Sequence, residues 1–317
     1  MVPNLDDIDR KILAALAKNC RLTYQELSRQ HNISANAIRR RILNLEESGE
    51  ISKYVVSLSV GMTTSNQIFG FLTSDGSRDE VEVIDEIGSH PNVSAAAAYS
   101  NGTYAFIANY DTAQEMHELS SFLRRINSIV DTEVHLTIID TGLKMEFSPL
   151  HLRILKTLME QPRLSVVEIA NRSGLTARRV RRLLGQIEES GAVQFKALVE
   201  LGAASGIPFI ARIRWDERST SYERIVQWLE KKYPLAIWEH FVSATEPVLF
   251  TLLAGENLTN VNEMTREIRK HPDVESVVTS ISSFHKYFAG KHRRKLLEMI
   301  ETAEIQAKQD TSVAAPA

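Results

Sequence analysis

The sequence predicts an α+β protein in which two winged helix-turn-helix domains alternate with two ferredoxin-like βαββαβ domains. Three features of the chain predict it: a gapless internal repeat of helical segments, a strand and helix order that recurs after each copy, and a basic outer face on the same helix of both copies. At 317 residues the chain exceeds one ordinary core and suits several compact modules.

Composition bounds the partners. The chain is 43% hydrophobic and 24% charged with a formal net charge of -3, so a nucleic acid must be met by local basic patches rather than by global charge. A single cysteine, Cys20, rules out an internal disulfide framework and leaves no thiolate set for zinc, which fits a reducing cytosol. The start, "MVPNLDDIDRKIL", is acidic where a secretory signal is basic and then apolar, and no apolar run reaches the roughly 18 residues of a membrane span. A cytoplasmic protein with no membrane partner is expected.

Sliding residues 5–54 onto 147–196 needs no gap. Ile12 falls on Ile154, Leu16 on Leu158, Arg21 on Arg163, Glu26 on Glu168, and Glu46 to Gly49 on Glu188 to Gly191. Each copy reads as three helices followed by a hairpin. In the first, Ile8, Ile12, Leu13 and Leu16 recur at helical spacing, Thr23 caps a short second helix, and Ser34 caps a third that stops at Gly49. In the second, Ser165 and Thr176 cap and Gly191 stops.

On the third helix of the first copy, Ile38, Ile42 and Leu45 gather on one side, while Asn36, Arg39, Arg40 and Leu43 gather opposite. The second copy keeps the core set as Val180, Leu184 and Ile187, and turns Arg178, Arg181, Arg182 and Gly185 outward with Arg179 on the flank. A helix of this girth fits the major groove of duplex DNA, where arginine reaches guanine edges or phosphates. The predicted DNA-binding set is therefore Asn36, Arg39, Arg40, Arg41, Arg178, Arg179, Arg181 and Arg182.

Between the headpieces, "QIFGFLT", "RDEVEVIDEIGSHP", "VSAAAAYS", "TYAFIANY", "AQEMHELSSFLRRINS" and "VDTEVHLTII" give strand, helix, two strands, helix and strand, and residues 206–288 repeat the order. Such a sheet carries its helices on one side, so its bare face is expected to be buried against a second sheet. The predicted domains are 1–60, 65–141, 146–201 and 206–288, then a terminal helix over 289–308 that docks on its own chain, with a disordered tail at 309–317. The "KHRRK" at the start of that helix reads as a solvated basic patch.

The stretch "LDDIDRKILAAL…RLTYQELSRQHNISANAIRRRILNLEESGEISKY" resembles the amino-terminal domain of the Lrp/AsnC, or feast/famine, transcription regulators. The likeness, with "HPNV" ahead of a strand of the next module, covers nearly all of residues 5–288. A usual family member has one headpiece and one effector domain, so this chain looks like a fused dimer. The resemblance implies a sequence-specific DNA-binding regulator, double-stranded DNA as partner, an amino-acid-like effector, and either a homo-oligomer or an intramolecular pseudo-dimer. The family's ligand loop commonly reads Gly-Asp-Tyr-Asp; here "NGTYAF" keeps Gly102 and Tyr104 but lacks both acids, so a surviving pocket would be lined by Ser100, Asn101, Gly102 and Tyr104. Because Asn36 and Leu43 stand where the second copy has Arg178 and Gly185, an asymmetric operator is expected.

Two other classes compete. Siroheme decarboxylases resemble the same family and occur as paired modules, but signatures of the HCYxR and WPYNLF type are missing from "VSAAAAYS", "TYAFIANY", "WEHFVSAT" and "PVLFTLLAG". A protein-interaction scaffold is the third reading. With no Walker loop, HExxH pair or GxSxG elbow in the sequence, no catalytic residue, metal or cofactor is expected.

Overall fold

The computed structural model describes residues 5–63, 65–139, 144–200 and 206–313. The expected boundaries at 141 and 201, and the end of the expected tail at 314–317, lie outside the described residues. The first headpiece comprises α1 (Asp7–Lys18), α2 (Tyr24–His31), α3 (Ala35–Glu47) and β1 (Ile51–Leu58). The first ferredoxin-like half runs β2 (Asn66–Ser74), α4 (Glu80–Ser89), β3 (Val93–Tyr99), β4 (Thr103–Tyr110), α5 (Ala113–Arg125) and β5 (Ile129–Ile138). The second headpiece follows as α6 (Pro149–Glu160), α7 (Val166–Ser173), α8 (Ala177–Ser190) and β6 (Val193–Val199). The second half is β7 (Ile207–Trp215), α9 (Tyr222–Lys232), β8 (Ile237–Ser243), β9 (Val248–Gly255), α10 (Leu258–Arg269) and β10 (Val274–Tyr287), and α11 (Gly290–Val313) ends the described chain.

Local chemistry sets the headpiece helices. Thr23 and Glu26 close a capping box at α2, as Ser165 and Glu168 do at α7, and the Ser34 and Thr176 hydroxyls accept the backbone N–H groups of Ala37 and Arg179. The turn that aims α3 passes through Asn32 at φ 54°, and its counterpart before α8 is Gly174 at φ 65°. Glycine and asparagine tolerate that left-handed region best.

The expected hairpin after each third helix is not formed among the described residues. Each headpiece has one strand, and β1 pairs antiparallel with β6 of the other copy. The pairing sets Tyr54 opposite Ala197 and Val55 opposite Lys196. Under the repeat Tyr54 corresponds to Lys196 and Val55 to Ala197, so exchanging the copies reproduces the pairing and the headpieces are related by a pseudo-twofold axis. A single apolar cluster then spans both, with Ile12, Ile38 and Ile42 of one and Ile154, Val180 and Ile187 of the other.

The two ferredoxin-like halves pair within the chain. Each sheet has its strands in the order β3-β4-β2-β5 or β8-β9-β7-β10, and the edges meet as β5 with β8 and β10 with β3, closing an eight-stranded barrel. Closure removes the exposed strand edges. Phe69, Phe241 and Phe250, drawn from both halves, fill the barrel, and Phe69 stacks on Phe241 at 4.5 Å. Each such fully buried ring stabilises the fold by about 1.5–3 kcal/mol.

α11 docks at home, against α6, β1, β3 and β4. It reaches Val313, so the first part of the expected tail is helix rather than disorder. Its entry is fixed by Phe288, whose ring lies where any side chain on Gly88 of α4 would sit, and by Gly290 at φ 63° beside Ser94. The basic start is not simply solvated. Lys291 pairs with Asp111 at 2.9 Å and with Glu115, and the half-buried Arg293 donates to the Val56 carbonyl at 3.1 Å.

Candidate nucleic-acid interface

The core positions of α3 and α8 are sealed: Ile38, Ile42, Leu45, Val180, Leu184 and Ile187 are all buried. That fixes the rotation of each helix and turns Asn36, Arg39 and Arg40 of α3, and Arg178, Arg179, Arg181 and Arg182 of α8, to the exposed side. No hydrogen bond or ion pair engages the side chains of these arginines among the described residues. Gly185 opens onto empty space, so nothing blocks the approach of a neighbouring backbone to the middle of α8.

Arg41 does not belong with them. Its guanidinium lies 2.8 Å from Asp6 and 2.7 Å from Asp9, the cap and first turn of α1. Those hydrogen bonds to Asp9 and Asp6 hold the Arg41 pKa above its ordinary value. Among three consecutive arginines 100° apart, the third swings toward the neighbouring helix, so Arg41 ties α3 to α1 instead of facing outward.

One carboxylate near the end of each basic helix is engaged by a neighbour. Glu46 accepts the Tyr54 hydroxyl at 2.5 Å, and its counterpart Glu188 accepts Arg21 at 2.7 Å. Burial and the Glu46 carboxylate push the Tyr54 phenol pKa up. The result is two arginine faces that meet exposed carboxylates, Glu47 and Glu189, only in the last turn of each helix, related by the pseudo-twofold of the β1–β6 ribbon.

A reciprocal clamp that sequence reasoning missed holds the pair together. Arg21 donates to the Pro162 carbonyl at 2.6 Å, and Arg163 donates to the Cys20 carbonyl at 2.6 Å. Cys20 and Pro162 are themselves counterparts under the repeat, so one contact is made twice across the axis. Arg163 also stacks over Tyr24 and Tyr54. The signal was the recurrence of "RL" in both copies. Cys20 is the buried thiol at this junction, its pKa pushed up to about 11 by burial.

The four residues of the expected effector loop lie at a tight hairpin. Gly102 turns the chain at φ 77°, Asn101 bonds Thr103 at 2.7 Å and Ser280 at 3.1 Å, and Ser100 donates its N–H to the Ile281 carbonyl at 2.9 Å. Tyr104 is buried in the core of the first half, where burial raises its pKa. Asn101 and the Ser100 N–H thus tie the β3–β4 turn to itself and to the adjoining β10.

Known proteins share both the headpieces and the tandem plan. The profile of the AsnC-type helix-turn-helix domain matches residues 5–46, and that of a winged helix-turn-helix DNA-binding domain matches 147–194. An HTH-type transcriptional regulator of Mycobacterium tuberculosis is 34% identical over 136 residues, which are 41% of this chain and 86% of that protein. The chain belongs to the Lrp/AsnC family. An uncharacterized HTH-type regulator of Pyrococcus horikoshii is 28% identical over 134 residues, again 41% of this chain and 83% of its own length. One such Lrp/AsnC relative therefore accounts for less than half of this chain. The solved siroheme decarboxylase NirDL covers the tandem arrangement, matching 94% of this chain and 100% of its own at a TM-score of 0.56 and 14% identity, which is a likeness of fold. Among the described residues no helix is long and apolar enough to cross a membrane.

Proposed function

We infer that this Lrp/AsnC chain is a sequence-specific transcription regulator that seats α3 and α8 in successive major grooves of one duplex, acting as an intramolecular pseudo-dimer. The observation that carries this reading is the pair of exposed, unengaged arginine faces, Arg39 with Arg40 and Arg181 with Arg182, set on helices whose other sides are buried. Asn36, Arg178 and Arg179 complete the two faces near the helix starts, the part of a reading helix that meets base edges. Because the faces differ at Asn36 against Arg178 and at Leu43 against Gly185, the two half-sites differ in sequence. In this reading the chain is not an enzyme, and β3 carries consecutive alanines where the tetrapyrrole branch would carry its histidine-bearing signature. Haem added to the protein should leave its absorption spectrum that of free haem.

The test is a pair of double substitutions, Arg39→Ala with Arg40→Ala and Arg181→Ala with Arg182→Ala, assayed on the upstream region of the protein's own gene at two salt concentrations. Each pair should weaken binding by about tenfold or more, and each lost phosphate contact should lower the salt slope by about one. Unchanged affinity for the second pair would reduce α8 to a structural helix.

A further inference from the structure

The two headpieces are joined on their pseudo-twofold axis by compliant elements and away from it by directional ones. On the axis they share the β1–β6 ribbon, whose central pairs are Tyr54 with Ala197 and Val55 with Lys196, and one apolar cluster. Two-stranded ribbons take a wide range of twist, and apolar burial is non-directional, so both resist separation more than rotation. The angle between α3 and α8 needs oriented bonds as well.

Those bonds come from Arg21 and Arg163, equivalent residues under the repeat that each reach across the axis. Arg21 is deeply seated, its side chain 9% exposed, over the Phe195 ring at 5.6 Å. Its guanidinium donates to the Pro162 carbonyl at 2.6 Å, to the Leu164 carbonyl at 3.3 Å, and to Glu188 in the last turn of α8 at 2.7 Å. One side chain thus grips both the loop before α7 and the end of the other copy's basic helix. Arg163 reaches its target by another route. It donates to the Cys20 carbonyl at 2.6 Å and lies over the Tyr24 ring of α2 at 5.4 Å and the Tyr54 ring of β1 at 5.3 Å. The Tyr54 hydroxyl in turn donates to Glu46, in the last turn of α3, at 2.5 Å. Each arginine is therefore linked to the closing turn of the basic helix in the opposite copy, Arg21 to α8 directly and Arg163 to α3 through Tyr54. Charge-assisted hydrogen bonds are the strong and geometrically specific ones.

We propose that Arg21 and Arg163 are positioning residues that set the angle and separation of α3 and α8, and through them the half-site spacing that the chain accepts. The spacing rests on the reading of α3 and α8 as DNA-reading helices, while the placement of the two helices does not.

Two measurements separate these. In the free chain, Leu43→Cys and Gly185→Cys, equivalent outward positions on α3 and α8, carry nitroxide labels, with Cys20→Ala removing the one native thiol and keeping its carbonyl. Dipolar spectroscopy of the label pair should give one narrow distance. Arg21→Met with Arg163→Met keeps the apolar stems, removes the donors, and should shift or broaden that distance. On DNA, hydroxyl-radical protection first locates the two contacted tracts in the upstream region of the protein's own gene. One base pair inserted between them displaces the half-sites by about 3.4 Å and about 34°. The insertion should weaken wild type about tenfold and the double variant less than about threefold, whereas a variant that had merely lost stability would keep the wild-type ratio between the two fragments. Should the double variant fail to fold, Tyr54→Phe, which keeps the ring under Arg163 and cuts its link to Glu46, should alter the label distance in the same way to a smaller extent. A distance distribution superimposable on that of wild type in the folded variants overturns the proposal. An altered distribution with an unchanged insertion penalty overturns the link to spacing. If wild type protects no tract at all, the DNA reading falls, and the label distance alone decides the role of the two arginines.

Discussion

The two headpieces keep one register in sequence yet anchor their reading helices with opposite chemistry. In the first, Arg41 crosses from α3 to Asp6 and Asp9 at the start of α1. In the second, the same position is Leu183, 3% exposed, and Asp9 is replaced by His151, which turns instead to Ser148 and to Gln186 at 3.2 Å. The flank of the reading helix that meets the first helix is thus free to be ionic or apolar, provided its partner changes with it. The outer face has no such partner, and both copies keep it basic.

That difference can be broken at its buried end. Leu183→Arg places a guanidinium against α6, whose first turn has no carboxylate to receive it, so stability should fall by about 4 kcal/mol, read as a lower midpoint in urea unfolding. Adding His151→Asp rebuilds the first copy's arrangement in the second. The double variant should recover about 1–3 kcal/mol of that loss, a coupling that would vanish if the two positions did not touch.

The docking of α11 allows a second, somewhat smaller test. His292, in the first turn of α11, has its ring 3.2 Å from the Thr63 hydroxyl and a pKa that burial pushes down to about 4 although Asp111 pulls the other way. A neutral buried histidine that is protonated more readily in the unfolded chain contributes stability present above pH 6.5 and lost as the pH falls toward 4. The loss across that window should be up to about 3 kcal/mol. His292→Gln should flatten this part of the stability profile. Against burial, hydrogen bonds from Ser65 and Lys291 hold Asp111, and one from Lys291 holds Glu115, below the usual carboxylate range, so their own loss comes at still lower pH. If wild type and variant had parallel profiles between pH 6.5 and 4, α11 would not be sealed over that ring.

Much of the headpiece was legible because its determinants are local. Ser34, Thr176, Gly49 and Gly191 act within one turn of their own helices, and the core set of α3 follows from helical periodicity alone. The partner of β1 was not legible. Alternation announces a strand but cannot say that Tyr54 will lie opposite Ala197 in the other copy, so a local hairpin was the natural expectation. The surroundings of the expected effector loop were hidden for a related reason: Ser280 and Ile281, which bond Asn101 and Ser100, come from the far end of the chain.

The smallest effect is the one that separates a run of arginines from a reading face. Arg41 is partly exposed and its ion pairs lie at the surface, so Arg41→Leu, which copies the second headpiece, should change stability by less than about 1 kcal/mol. It should also leave DNA affinity and salt slope as they are, because that guanidinium is already neutralised by Asp6 and Asp9 and points along α1. Arg40→Ala, one residue away, should weaken binding several-fold and lower the salt slope by about one. Mobility shifts of the two variants on the same fragment make the comparison. Equal losses for both would mean that DNA pulls Arg41 out of its ion pairs on docking, and the face of α3 would then be wider than its free geometry shows.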